Sequence, residues 1–264
     1  NGDFYAEDKT KAQESDCVIA VMGINKSLER EGTDRTTLDL PEEQTNYLKE
    51  LYAVNKNIVL VLVAGSSLSI KWEDENIPAI VEAWYPGESG GTAIADVLFG
   101  DYNPAGRLPF TFYKSATDLP SIDDYEIANG RTYMYFKGKT LYPFGYGLSY
   151  TQFEYSSMNI KKEGEKLLIS MKIKNTGNYN GNEVVQLYFK DELAERPLKQ
   201  LIGFNKIALK IGESKTIQFE VTKENLHFWD EKTKDWKFRN GKYEFMLGAS
   251  SDDFRLHQTF TFKK

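Results

Sequence analysis

The chain has 264 residues, 41% of them hydrophobic and 27% charged, so it reads as one large or two modest globular domains rather than a disordered or membrane-spanning chain. With 33 Lys and Arg against 39 Asp and Glu, the net charge is −6 and the charges are scattered, so no basic stripe offers itself to a nucleic acid. A single cysteine, Cys17, excludes an internal disulfide, and two histidines, His227 and His257, leave too few ligands for zinc, so no metal is expected.

The opening Asn1-Gly2-Asp3-Phe4-Tyr5-Ala6-Glu7-Asp8 holds neither an initiator Met nor an apolar signal region, and reads as a cut within a longer protein. Cys17-Val18-Ile19-Ala20-Val21-Met22, ended by Gly23, is a short apolar run that suits a strand buried on both faces. Pro41 opens a helix. Its Gln44, Tyr47, Leu48, Leu51 and Tyr52 recur at helical spacing, and Glu42 and Glu43 sit near the positive end of the dipole. Residues 58–63 and 79–84 are further buried strands, and Ala93, Ile94, Val97 and Leu98 mark a helix before Gly100. Strand-helix-strand order implies a mostly parallel sheet covered by helices.

From Lys166 the period falls to two. Leu167, Ile169, Met171 and Ile173 alternate with Ser170, Lys172 and Lys174, and the pattern returns around 217–221, 243–247 and 254–262. Turn clusters such as Asn175-Thr176-Gly177 and Ser250-Ser251-Asp252-Asp253 separate these runs. The expected architecture is therefore α/β over residues 1–142, then an all-β sandwich of fibronectin III or immunoglobulin type over 143–264. The joint, Pro143-Phe144-Gly145-Tyr146-Gly147-Leu148-Ser149-Tyr150, reads as an aromatic wedge; a platform for sugar stacking is the sharper alternative.

Chemistry is sought first in the loop after the first strand, which runs through Glu29-Arg30-Glu31-Gly32-Thr33-Asp34-Arg35. Open α/β sheets bind ligands at the carboxyl ends of their strands. Glu31 or Glu29 can serve there as a general acid, since a carboxyl in a partly dry cleft holds its proton toward neutral pH. Asp34 and Arg35 look like an orienting pair, and the bland alternative is a solvated face of surface ion pairs. Gly87-Glu88-Ser89-Gly90-Gly91 fits a nucleophile elbow between strand and helix, but both histidines lie in the β-rich half, and a helix-capping Ser89 is the simpler reading. No phosphate loop, dinucleotide fingerprint or EF-hand spacing occurs.

Four blocks in order resemble the carboxy-terminal half of glycoside hydrolase family 3. They are 29–41, opening Glu29-Arg30-Glu31-Gly32-Thr33-Asp34-Arg35; 83–100, opening Ala83-Trp84-Tyr85-Pro86-Gly87; 103–109, Asn103-Pro104-Ala105-Gly106-Arg107-Leu108-Pro109; and 141–151, opening Leu141-Tyr142-Pro143-Phe144-Gly145. Leu201-Ile202-Gly203-Phe204 with Gly212-Glu213-Ser214 is similar to the family's fibronectin-like tail. The resemblance implies a retaining exo-β-glycosidase without a cofactor. Its Asp nucleophile would come from an amino-terminal (β/α)₈ barrel, in the same polypeptide or a clipped chain, which these residues do not include. Asp235-Trp236 matches the nucleophile pattern only superficially. The family's acid/base carries over to Glu31, with Glu29 as runner-up, and the isolated chain would be inert. The segments around 28–32 and 130–135 resemble the β-xylosidase branch more than the β-glucosidase branch. A non-catalytic carbohydrate-binding or scaffold fragment is the reading from another class, and family habit points to a secreted or periplasmic bacterial location.

Overall fold

A computed structural model describes residues 5–32, 34–192 and 197–263. The chain forms two compact units, and their limits do not follow a single cut. Asn1–Phe99, Phe112–Ile122 and Gly138–Tyr142 make the first, while Gly100–Thr111, Asp123–Lys137 and Pro143–Lys264 make the second. No helix among the described residues is long and apolar enough to cross a membrane.

In the first unit the order is α1 (Ala6–Glu14), β1 (Val18–Gly23), α2 (Glu42–Val54), β2 (Ile58–Val63), α3 (Lys71–Asn76), β3 (Ala79–Glu82) and α4 (Gly90–Phe99). The three strands pair in parallel in the order β1-β2-β3, with Val18 opposite Ile58 and Val59 opposite Ala79. The centre of the sheet is the most apolar segment, since Ile58, Leu60, Val61 and Leu62 of β2 are all buried. Helix α2 begins after Pro41, whose φ of −49° preorganises the first turn, and its Leu48 and Leu51 share one cluster with Ala20 and Met22 of β1.

The expectation for β1 needs correction. Only Ala20 and Met22 are buried, while Ile19 and Val21 remain 47% and 63% exposed. The reason is position: β1 is a sheet edge, and its second face is not covered among the described residues. Val18 N–H donates to Asn57 O and Ile24 N–H to Val63 O, so by the alternation of a parallel ladder Ile19, Val21 and Gly23 turn their backbone groups outward. At Gly23 the Gln44 side chain meets both, accepting from Gly23 N–H at 2.8 Å and donating to Gly23 O at 2.8 Å.

The second unit holds β4 (Phe153–Glu163), β5 (Lys166–Asn175), β6 (Gly181–Asp191), β7 (Gln200–Leu209), β8 (Ser214–Val221), β9 (Phe228–Asp230), β10 (Asp235–Lys237), β11 (Gly241–Gly248) and β12 (Phe254–Phe262). They form antiparallel sheets in the orders β12-β11-β6-β7 and β4-β5-β8, with β9 and β10 a separate ribbon. Leu167, Ile169, Met171 and Ile173 of one sheet and Val185, Leu187, Phe245 and Leu247 of the other are fully buried in one core, as two facing sheets with alternating side chains require. Asp235-Trp236 lies on the ribbon, Trp236 opposite Trp229, with both indoles exposed. From the expected wedge, Phe144 stacks on Tyr133 at 4.5 Å, and Phe144 O accepts from Ser251 N–H, so this aromatic ring belongs to the packing of the second unit.

Candidate active site

Parallel strands deliver their following loops to one end of a sheet, so the loops after β1, β2 and β3 emerge together. A single carboxylate ties them. Glu29, from the loop after β1, accepts from Gly65 N–H at 2.6 Å and from the Ser66 hydroxyl, both after β2, and from the Tyr85 hydroxyl after β3. Tyr85 Oη also lies 3.2 Å from Ile24 O. Gly65 is required by closeness: a Cβ there would stand 2.6 Å from the Tyr85 ring and 2.9 Å from Glu29 Oε1. Burial alone would raise the Glu29 carboxyl, but Ser66, Tyr85 and Gly65, with the charge of Arg35, hold it below the usual carboxylate range. Burial and then the bond to Glu29 push the Tyr85 hydroxyl up to about 12.

Arg35, expected with Asp34 as an orienting residue, is held by the loop after β2. Its Nη2 donates to Ser66 Oγ and Ser67 O, both at 2.8 Å, while Asp34 stays exposed. The guanidinium turns inward because the carbonyl and hydroxyl after β2 accept its protons within range of the Glu29 charge, whereas Asp34 is already solvated. Beyond Arg35 the loop stays anchored, with Ser69 N–H donating to Leu38 O at 2.8 Å and Leu40 buried. Glu31 therefore sits between two fixed points, Glu29 and Arg35, both bonded to Ser66. It is exposed, its neighbour Gly32 takes φ 72°, and its carboxyl has no hydrogen bond or ion pair among the described residues.

Glu82, the last residue of β3, is a partner the sequence did not reveal. Its Oε1 accepts from Trp84 N–H at 3.0 Å, and its Oε2 is buried without a partner. Burial pushes its carboxyl up to about 7; the Trp84 N–H opposes this and the charge of Glu29 adds to it. One cue was present, a carboxylate ending the otherwise apolar strand Ala79-Ile80-Val81-Glu82. Gly65 and Ser66 gave none, because their role depends on a residue 36 and 37 positions away. Ser89 lies before α4, where its carbonyl accepts from Ala93 N–H, and the hydroxyl makes no bond among the described residues. His257 Nδ1 lies 3.0 Å from Glu244 Oε1 on the neighbouring strand. No grouping of His, Cys, Asp and Glu among the described residues has the shape of a metal site.

Residues 2–150 match the Glycosyl hydrolase family 3 C-terminal domain. The chain belongs to this family. Residues 183–251 match a fibronectin type III-like domain, in agreement with the sandwich of the second unit. Among curated proteins, this family 3 chain is similar to a xylan 1,4-beta-xylosidase of Xylanibacter ruminicola, with 43% identity over 94% of this chain and 30% of that protein. It is also similar to a beta-glucosidase of Bacteroides ovatus, with 39% identity over 96% of this chain and 37% of that protein. Among solved structures, a beta-glucosidase of Kluyveromyces marxianus in complex with glucose superposes with a TM-score of 0.92 at 33% identity, over 98% of this chain and 33% of that one. The chain thus spans about a third of the length of these relatives.

Proposed function

We propose that the chain is the carboxy-terminal part of a retaining exo-β-glycosidase and that Glu31 is the general acid/base it contributes. The observation that supports this best is the contrast between two carboxylates in one loop. Glu29 is ionised and engaged by three donors, so it can neither give a proton nor swing. Glu31 stands free on a turn braced at both ends. Such a group can reach a glycosidic oxygen outside its own loop, protonate it as the aglycone leaves, and later take a proton from the attacking water. Retention needs a second carboxylate roughly 5 to 5.5 Å away across the sugar. On this reading it is an Asp of an amino-terminal barrel, in the same polypeptide or a clipped chain, with a glycoside as substrate.

β-Xylosides are the preferred substrates, supported by the 43% identity to a protein named for xylan. β-Glucosides are the second reading, favoured by the relatives named beta-glucosidase. A relative named periplasmic beta-glucosidase in Salmonella typhimurium supports a location outside the cytoplasm. Release of p-nitrophenol from aryl β-xyloside and β-glucoside tests the proposal. The full-length protein turns over at least one, with the larger kcat/KM giving the specificity, and the 264 residues alone turn over neither. In the full-length protein Glu31→Ala stalls the glycosyl-enzyme and azide partly restores turnover. Rates like the wild type in that variant, or turnover by the isolated chain, refute the assignment.

A further inference from the structure

We propose that Glu82 is a positioning residue of this site, holding the Trp84–Tyr85 turn against Glu29 only while its own carboxyl carries a proton. For its effect on catalysis the inference rests on the reading of Glu31 above; the geometry stands without it. Trp84 adopts φ 54°, a left-handed angle that a bulky residue keeps only under restraint. The restraints include the bond from Trp84 N–H to Glu82 Oε1 and edge-to-face packing of the Trp84 ring on Phe112 at 6.3 Å. The turn so formed brings the next residue, Tyr85, onto Glu29, and Glu29 fixes one end of the Glu31 turn.

The other oxygen of Glu82 decides which protonation state fits. Oε2 is buried and accepts no hydrogen bond among the described residues, an environment that suits a carboxylic acid and penalises a carboxylate. The charged groups nearby act in the same direction. Glu29 brings its negative charge from the loop after β1, while Arg35 of that loop is turned to Ser66 and Ser67. The Tyr85 hydroxyl is held neutral far above physiological pH. Once Glu82 ionises, a charge is buried with one N–H donor and with the Glu29 charge nearby; that cost outweighs the stronger bond from Trp84 N–H, so Tyr85 loses its hold on Glu29 and the braced end of the Glu31 turn loosens. The ionisation of Glu82 then adds to the alkaline limb of activity.

Two measurements test this. In the 264-residue chain with ¹³C-labelled glutamate carboxyls, the signal lost in Glu82→Gln titrates near neutrality. The Tyr85 ring signals move with the same midpoint in the wild type and stay still in the variant. Glu82→Ala supplies the same assignment if Glu82→Gln folds poorly. A Glu82 signal titrating in the ordinary carboxylate range, or Tyr85 signals indifferent to it, overturns the proposal. In the full-length protein the ratio of kcat/KM at pH 8 to that at pH 6 rises about tenfold in Glu82→Gln, because one unit above its midpoint about a tenth of the wild-type carboxyl keeps its proton. Coincident alkaline limbs also overturn it. A full-length protein without turnover at any pH refutes the glycosidase reading instead, and the titration alone then decides the role of Glu82.

Discussion

Gly65→Ala is the most direct test of the three-loop tie. The new Cβ would stand 2.6 Å from Tyr85 Cε2 and 2.9 Å from Glu29 Oε1, whereas non-bonded carbons settle at about 3.5 to 4.0 Å. The Tyr85 ring must retreat by about 1 Å, which carries its hydroxyl away from Glu29. Overpacking of this kind costs about 1–3 kcal/mol, and a hydrogen bond to a charged group is worth about 1.5–3 kcal/mol. Since the retreat relieves strain as it breaks the bond, the two overlap and a loss of about 3 kcal/mol is expected. For a chain of this size unfolding in one transition, that lowers the thermal midpoint by about 6–12 °C in calorimetry. In a Tyr85→Phe background the bond is already gone, so Gly65→Ala costs less there, by about 1.5 kcal/mol. Full additivity, or a loss below about 0.5 kcal/mol for Gly65→Ala alone, refutes the claim that Glu29 and Tyr85 are tied through this contact.

Stability has a pH signature from the same residues. Glu82 has a folded pKa above its unfolded value, so the folded state binds the extra proton and stability falls as pH rises from about 4.5 through about 7. For a part-buried group the full loss is about 2 kcal/mol, and urea unfolding of Glu82→Gln lacks this slope and is more stable than the wild type at pH 8. Glu29 acts oppositely: its lowered pKa contributes stability above the ordinary glutamate value that disappears as pH falls through the folded one, a loss absent in Glu29→Gln. In the second unit Arg107 Nη2 meets Glu183 Oε1 at 2.9 Å with both side chains buried. Arg107→Ala leaves that carboxylate without its cation and lowers stability by about 3–5 kcal/mol by chemical denaturation, whereas replacing both partners costs less. Because Ile19 and Val21 line an unpaired edge, the 264-residue chain self-associates in sedimentation velocity, and Val21→Lys reduces it.

What sequence reading recovered follows how local each signal is. Strands β2 and β3 and helices α2 and α4 announce themselves within four to thirteen residues, through apolar runs or helical spacing. Helices α1 and α3 do not, because each buries one residue, Ala12 and Glu73, and so has no apolar stripe to read. The β9–β10 ribbon, three residues a side, is too short for alternation to register. In the site, the loop after β1 was legible as a charged stretch at the end of a strand. Which of its charges turns inward was not, since Arg35 and Glu29 are fixed by Ser66, Ser67 and Tyr85, distant in the chain and adjacent only once the strands align.

The Gln44 carboxamide at Gly23 offers one donor and one acceptor in the places a neighbouring backbone would fill. It acts as a terminator for the ladder: any segment that zips onto this border can use the outward groups of Ile19 and Val21 but must veer away before Gly23. Alignment of such a segment is thereby dictated by one side chain on a helix, and the loop bearing Glu29 and Glu31 is kept clear of whatever lies alongside.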